Sequence, residues 1–136
     1  ENNRVIYLSD SKRVTSTLMK NSTIEYYGTT GDRSLHQTKN SKITFHKPVI
    51  NQNACWIKDC FLVFKELAGK LSCDHVNYSD IILEDDIKEG FADFCVGTRF
   101  HSKDILILQK FKSAKHIDCK YFHYDSNGLH KEVHFK

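Results

Sequence analysis

The chain has one proline, one methionine, one tryptophan and only six glycines among its 136 residues. Neither a G-x-G-x-x-G loop nor a Walker pattern is present to cradle a phosphate. His-Glu-x-x-His and Gly-x-Ser-x-Gly are absent too, which removes two families of hydrolase but not catalytic groups scattered along the chain. No run of aliphatic or aromatic side chains exceeds four residues, as in Phe61-Leu-Val-Phe64. A membrane-spanning helix needs about 20 apolar residues, so no segment is read as one. No N-terminal stretch has the layout of a signal peptide. The five cysteines, at 55, 60, 73, 95 and 119, form no Cys-x-x-Cys pair. An odd, unevenly spaced set is a poor disulfide framework and predicts buried free thiols in a reducing, intracellular compartment.

What is present fits one domain, residues 1–136, long enough to bury a core without metal or disulfides. A chain opening on Glu1 is read as a domain cut from a larger protein. Forty per cent apolar and twelve per cent aromatic residues are ordinary globular composition. The net charge of +3 is unevenly spread. Residues 1–98 carry 12 Lys and Arg against 13 Asp and Glu, whereas residues 99–136 carry 8 against 4, with five of the eight histidines. Such asymmetry points to a polyanionic partner.

Short strands are expected at Val5–Ser9, Ile24–Tyr27 and Ile43–His46, with a short helix after Asp10 running through Leu18 and Met19. The stretch 30–41 has few apolar anchors and reads as a loop. From Asn53 to Ala68 the apolar residues 56, 57, 60, 61, 64, 67 and 68 fall at helical spacing, with Asn53 as N-cap and Gly69 as stop. A second helix is expected over 86–96, opened by Glu84, Asp85 and Asp86. The remainder reads as strands at 104–111, 117–124 and 132–135, with a hairpin turn at Ser126-Asn-Gly128. No internal repeat is apparent. The expected class is α+β: a mixed sheet on one long buried helix (about 53–69) and a second (about 86–96), closing with a C-terminal β-meander.

Three clusters could carry chemistry. His116, Cys119 and His123, with Cys73, His75 and Cys95 elsewhere, supply zinc-type ligands. On a strand, however, His116 faces away from the other two, so no metal site and no cofactor is expected. Glu84, Asp85, Asp86, Glu89 and Asp93 read as a solvated helix face. Lys110, Lys112, Lys115, Lys120 and Tyr121 interleave positive charge with aromatic rings, the composition that grips single-stranded nucleic acid.

The segment Lys47-Pro-Val-Ile-Asn-Gln-Asn-Ala-Cys-Trp-Ile-Lys-Asp-Cys60 resembles the end of a BRCT domain. There a last helix opens on a tryptophan, followed by an apolar residue and a cysteine, here Trp56, Ile57 and Cys60. The resemblance implies that Trp56 anchors the helix in the core, burying on the order of 200 Å². It also implies that Arg4–Ser9 is a first strand whose Ser9, with Lys12 or Arg13 nearby, contacts a phosphopeptide. The expected function is therefore a non-enzymatic protein-interaction module of an intracellular, nuclear or chromatin-associated protein. The alternatives are a nucleic-acid-binding domain using residues 99–136, or a degenerate enzyme domain.

Overall fold

The computed structural model of the chain describes residues 3–11, 16–31, 34–51 and 53–135. Its backbone winds as a β-solenoid. The broad side is an eight-stranded sheet of β1 (Arg4–Tyr7), β3 (Thr23–Tyr26), β5 (Lys42–Phe45), β7 (Phe61–Phe64), β9 (Asp80–Leu83), β11 (Arg99–Ser102), β13 (Lys120–Tyr124) and β14 (His130–Val133), adjacent in that order. The opposite flank carries shorter strands: β2 (Ser16–Thr17), β4 (Leu35–His36), β6 (Ile57–Lys58), β8 (Val76–Asn77), β10 (Phe94–Val96) and β12 (Lys115–Ile117). Broad strands from β1 to β13 pair in parallel, with Arg4 opposite Thr23, Thr23 opposite Lys42, Lys42 opposite Phe61 and Phe61 opposite Asp80. One turn of the coil thus takes 19 residues. The step from Arg99 to Lys120 is two residues longer.

Each coil turns its second and fourth broad-strand residues inward. The first ladder runs Ile24, Ile43, Leu62, Ile81, Phe100; the second runs Tyr26, Phe45, Phe64, Leu83, Ser102, all buried. Rings in the second ladder stack coil on coil, with centroids 4.8 Å apart for Tyr7–Tyr26, 5.2 Å for Tyr26–Phe45 and 4.8 Å for Phe45–Phe64. The ordinary spacing of hydrogen-bonded strands, about 4.8 Å, imposes that separation.

The corner before each broad strand explains much of the polar sequence. Asn21, Asn40, Asp59, Tyr78, Gly97 and Asp118 all have positive φ there. Asn, Asp and Gly tolerate that region best. The next residue, Ser22, Ser41, Cys60 or Ser79, donates its side-chain hydrogen to the carbonyl two residues back, at 2.8, 2.8, 3.2 and 2.9 Å. It also accepts a backbone N–H from the coil before: Ser22 N to Ser41 Oγ at 3.0 Å and Cys60 N to Ser79 Oγ at 3.0 Å. Buried backbone donors that the ladder misses are thereby satisfied.

At the far end, Asp104 caps a five-residue helix, α1 (Ile105–Gln109), that continues into a 3-10 turn at Lys110–Ser113. Ile107, Leu108 and Phe111 from this insert are buried over the end of the core. β14 then folds back antiparallel on β13 across the expected Ser126–Gly128 turn.

This architecture corrects most of the expected fold. The class is not α+β but all-β solenoid with one short α-helix among the described residues, and a repeat is present. Residues 53–69 are not a helix: they contain β6 and β7. Their inward residues Ile57, Cys60, Leu62, Phe64 and Ala68 are spaced three, two, two and four apart, which imitates helical periodicity across a corner. Gly69 is no helix stop: a Cβ there would lie 2.2 Å from the Val49 and Ile50 carbonyl oxygens of the neighbouring coil. Residues 86–96 are a coil turn leading into β10, not a helix. Conversely, 104–111, expected as a strand, holds the helix. The 30–41 loop buries Thr30, Ser34, Leu35 and Thr38. The BRCT-like reading falls with the helix: Trp56 is 56% exposed at φ 59°, and Cys60 is a corner thiol. No helix among the described residues is long and apolar enough to cross a membrane.

Candidate functional site

Along the flank, each coil presents the residue before its short inward-facing stretch to solvent. In the third, fourth and fifth coils these are Trp56, His75 and Phe94. The Trp56 and His75 rings stack with centroids 4.1 Å apart and 7° between planes, and His75 and Phe94 follow at 5.9 Å and 12°. Trp56 and Phe94 remain 56% and 41% exposed. The row continues to Lys115 of β12, whose Nζ lies 5.3 Å from the Phe94 ring centroid. The rings thus stand face to face in a column along the coils. The platform they form offers ring edges together with the exposed outer side of Trp56, on which no other ring stacks among the described residues.

Beside that row runs a second one. Lys20, Lys39 and Lys58 are directly opposed across successive coils, bridged Lys20 to Lys39 and Lys39 to Lys58. All three are exposed, and among the described residues none of them forms an ion pair. The Lys58 Nζ sits 5.9 Å from the ring centroid of Tyr78, itself 53% exposed. Like charges directly opposite one another destabilise a sheet. A stacked triplet of them is therefore a cost to folding that an anionic partner would relieve.

The other border of the aromatic row is acidic. Asp74 and Asp93 are both half-buried there. Burial raises the Asp74 carboxyl pKa; a backbone hydrogen bond from Asp93 opposes the rise, and the Asp93 charge partly restores it. An anion laid on the platform would thus keep its charges on the lysine side.

The expected site residues are dispersed. Ser9 is exposed in the bend after β1, and Lys12 and Arg13 lie outside the described residues. Lys110 is paired with Asp86 across the C-terminal insert. Lys112, Lys120 and Tyr121 border one C-terminal cleft, while Lys115 belongs to the end of the flank row. The five do not make one strip.

The zinc-type candidates are spent on carbonyls. His116 Nε2 lies 2.6 Å from the Ala92 oxygen, Cys119 donates to the Cys95 oxygen at 3.4 Å, and His123 Nε2 lies 2.8 Å from the Lys103 oxygen. Among the described residues no group of three or more His, Cys, Asp or Glu is placed to hold a metal. The acidic cluster is not one helix face. Glu84, Asp85 and Asp86 turn the corner after β9, Asp86 bonding the Ile87 N–H at 2.8 Å, and Asp93 stands on the flank.

Lys20, Lys39, Lys58, His75, Phe94 and Tyr78 were not anticipated as a site. The signal that finds them is the period: lysines at 20, 39 and 58, and rings at 56, 75 and 94, recur at the coil length.

Comparison of the sequence with models of protein families finds no match, and comparisons with curated proteins and with solved structures find none either.

Proposed function

We propose that the chain is a non-enzymatic binding module that grips single-stranded nucleic acid along its flank. A base extends the ring column on the outer side of Trp56, neighbouring bases meet the edges of His75 and Phe94, and phosphates lie along Lys20, Lys39 and Lys58. The observation that carries this reading is the unpaired, directly opposed lysine triplet beside a solvent-exposed column of parallel rings. Stacking is indifferent to base identity, and a lysine row supplies charge without geometry, so the module has little sequence preference. The expected polyanionic partner is kept, but the interface moves from the C-terminal third to the flank. The phosphopeptide reading at Ser9 loses the resemblance that supported it.

The test is fluorescence anisotropy with labelled oligo-dT and oligo-U of about twelve nucleotides. Three phosphate contacts on a single strand give a log–log salt slope of about −2. Lys39→Glu with Lys58→Glu is expected to weaken binding more than about tenfold. Trp56→Ala is expected to weaken it by about tenfold, the effect of losing one stacked base. No binding at low salt sinks the proposal. Heparin binding as tightly as oligo-dT, with Trp56→Ala neutral, overturns the stacking half of it.

A further inference from the structure

At the C-terminal end of the solenoid the last coil is incompletely covered. A cleft of about 640 Å³ opens there between the 3-10 turn, β13 and the residues that follow β14. That volume lies within the range of small-molecule sites, roughly 300–1,000 Å³. Its walls are aromatic. Tyr121 and Phe135 stand with ring centroids 5.2 Å apart at 54°, and Phe111 lies 6.1 Å from Tyr121. Phe100 also stacks along Tyr121 at 5.7 Å, yet Tyr121 and Phe135 are only half-buried, and the uncovered parts of both rings line the cleft.

The charges around the cleft are unbalanced. Lys120 approaches Glu132 only to 3.9 Å, and that carboxylate is also 3.3 Å from His134. Lys112 forms no ion pair among the described residues; its Nζ lies 5.8 Å from the Phe135 ring centroid.

The other polar groups of the wall are uncharged. The Ala92 carbonyl can only accept, so His116 donates from Nε2, and its Nδ1 accepts the Tyr121 hydroxyl hydrogen at 2.6 Å. Burial lowers the His116 pKa and pushes that of Tyr121 up to about 12, and it also raises the Cys119 thiol. Neither a phenolate nor a thiolate is present near neutral pH to repel an anion.

We propose that this cleft binds a small planar aromatic anion, its ring against Tyr121 and Phe135 and its acid group between Lys112 and Lys120. The site is separate from the flank and does not rest on the nucleic-acid reading. The probe is anthranilate, a fluorescent aromatic carboxylate, titrated into the full chain with acetate and benzyl alcohol as controls. Saturable binding in the millimolar range or tighter is expected, as suits a ligand of about ten heavy atoms. Lys112→Gln and Lys120→Gln are each expected to weaken it about tenfold, and acetate and benzyl alcohol to bind far more weakly. Lys39→Gln with Lys58→Gln should leave anthranilate binding unchanged while reducing oligo-dT binding, which separates failure of one site from failure of the other. The two cleft lysines are exposed on the rim, so their variants fold. The proposal is overturned if anthranilate does not saturate, if benzyl alcohol binds equally well, or if both lysine variants keep wild-type affinity.

Discussion

The outer face of the broad sheet and the flank are made by the same coils at the same spacing, yet they handle charge in opposite ways. On the broad face the sequence varies from coil to coil, and opposite charges meet. Glu25 takes Arg4 at 3.1 Å and His46 at 3.5 Å, and Asp80 takes Arg99 at 2.6 Å and His101 at 3.1 Å. On the flank the sequence repeats, and lysine stands on lysine. A solenoid brings equivalent positions to within a strand spacing of each other, so repetition concentrates whatever a position carries. For apolar rings inside the coil that concentration stabilises. For exposed charge it does the reverse, and a surface that keeps it is a candidate for binding.

The largest test of the comparison removes what holds both faces in register. Phe64 is fully buried between Phe45 and the edge of Phe91, whose ring centroid is 5.4 Å away. Phe64→Ala is expected to cost about 3–5 kcal/mol in urea unfolding, the range for a buried phenylalanine. Phe61→Ala, three residues earlier on the outward face, should cost less than about 1 kcal/mol. Equal costs would mean that the inward and outward sides of β7 have been assigned wrongly.

A smaller effect belongs to the broad face itself. Burial works to raise the Asp80 pKa, but the hydrogen bonds from Arg99 and His101 win and hold it below the usual carboxylate range. A lowered folded-state pKa stabilises the protein above the unfolded value, and that stability is lost as pH falls through the folded one. Asp80→Asn is therefore expected to cost about 1 kcal/mol near pH 7, since the pair is partly exposed. Wild type and variant should converge as pH drops below the ordinary carboxylate range. A constant gap between the two pH profiles would remove Asp80 as the titrating group.

How much of this was legible in the sequence depends on the length scale. Local strand signals at Val5, Ile24 and Ile43 were readable, because β-branched and aromatic residues cluster there between polar residues. The Asn-Gly hairpin was readable for the same local reason. The coil was not, since no residue type recurs at every turn. Its corners accept Ser, Cys or Thr alike, and its αL position takes Asn, Asp, Tyr or Gly. Trp56 misled because a large apolar residue is normally buried, whereas here it stands outside a positive-φ bend. Ile105-Leu-Ile-Leu misled the other way: a short apolar run was read as a strand, but the Asp104 cap and burial of Ile107 and Leu108 against the coil end made it a helix. The flank was hidden behind the missed period, because its lysines lie in residues 1–98, where the overall charge is nearly balanced.

The smallest expected effect carries the sharpest sign. If Lys20, Lys39 and Lys58 repel one another, the central lysine has the most to gain from neutralisation. Lys39→Gln is expected to stabilise the free protein by about 0.3 kcal/mol at low ionic strength, the scale of a single like-charge cross-strand contact. The gain should shrink as salt rises, since exposed charges are screened over about 10 Å at 0.1 M. A neutralising change on the broad face, Arg99→Gln, has the opposite sign because it strands Asp80. Thermal melts of both variants at low and high salt check this directly. Loss of stability in Lys39→Gln at low salt would mean that the flank charges are already paired. The distinction between a face that has settled its charges and one that holds them for a partner would then fail.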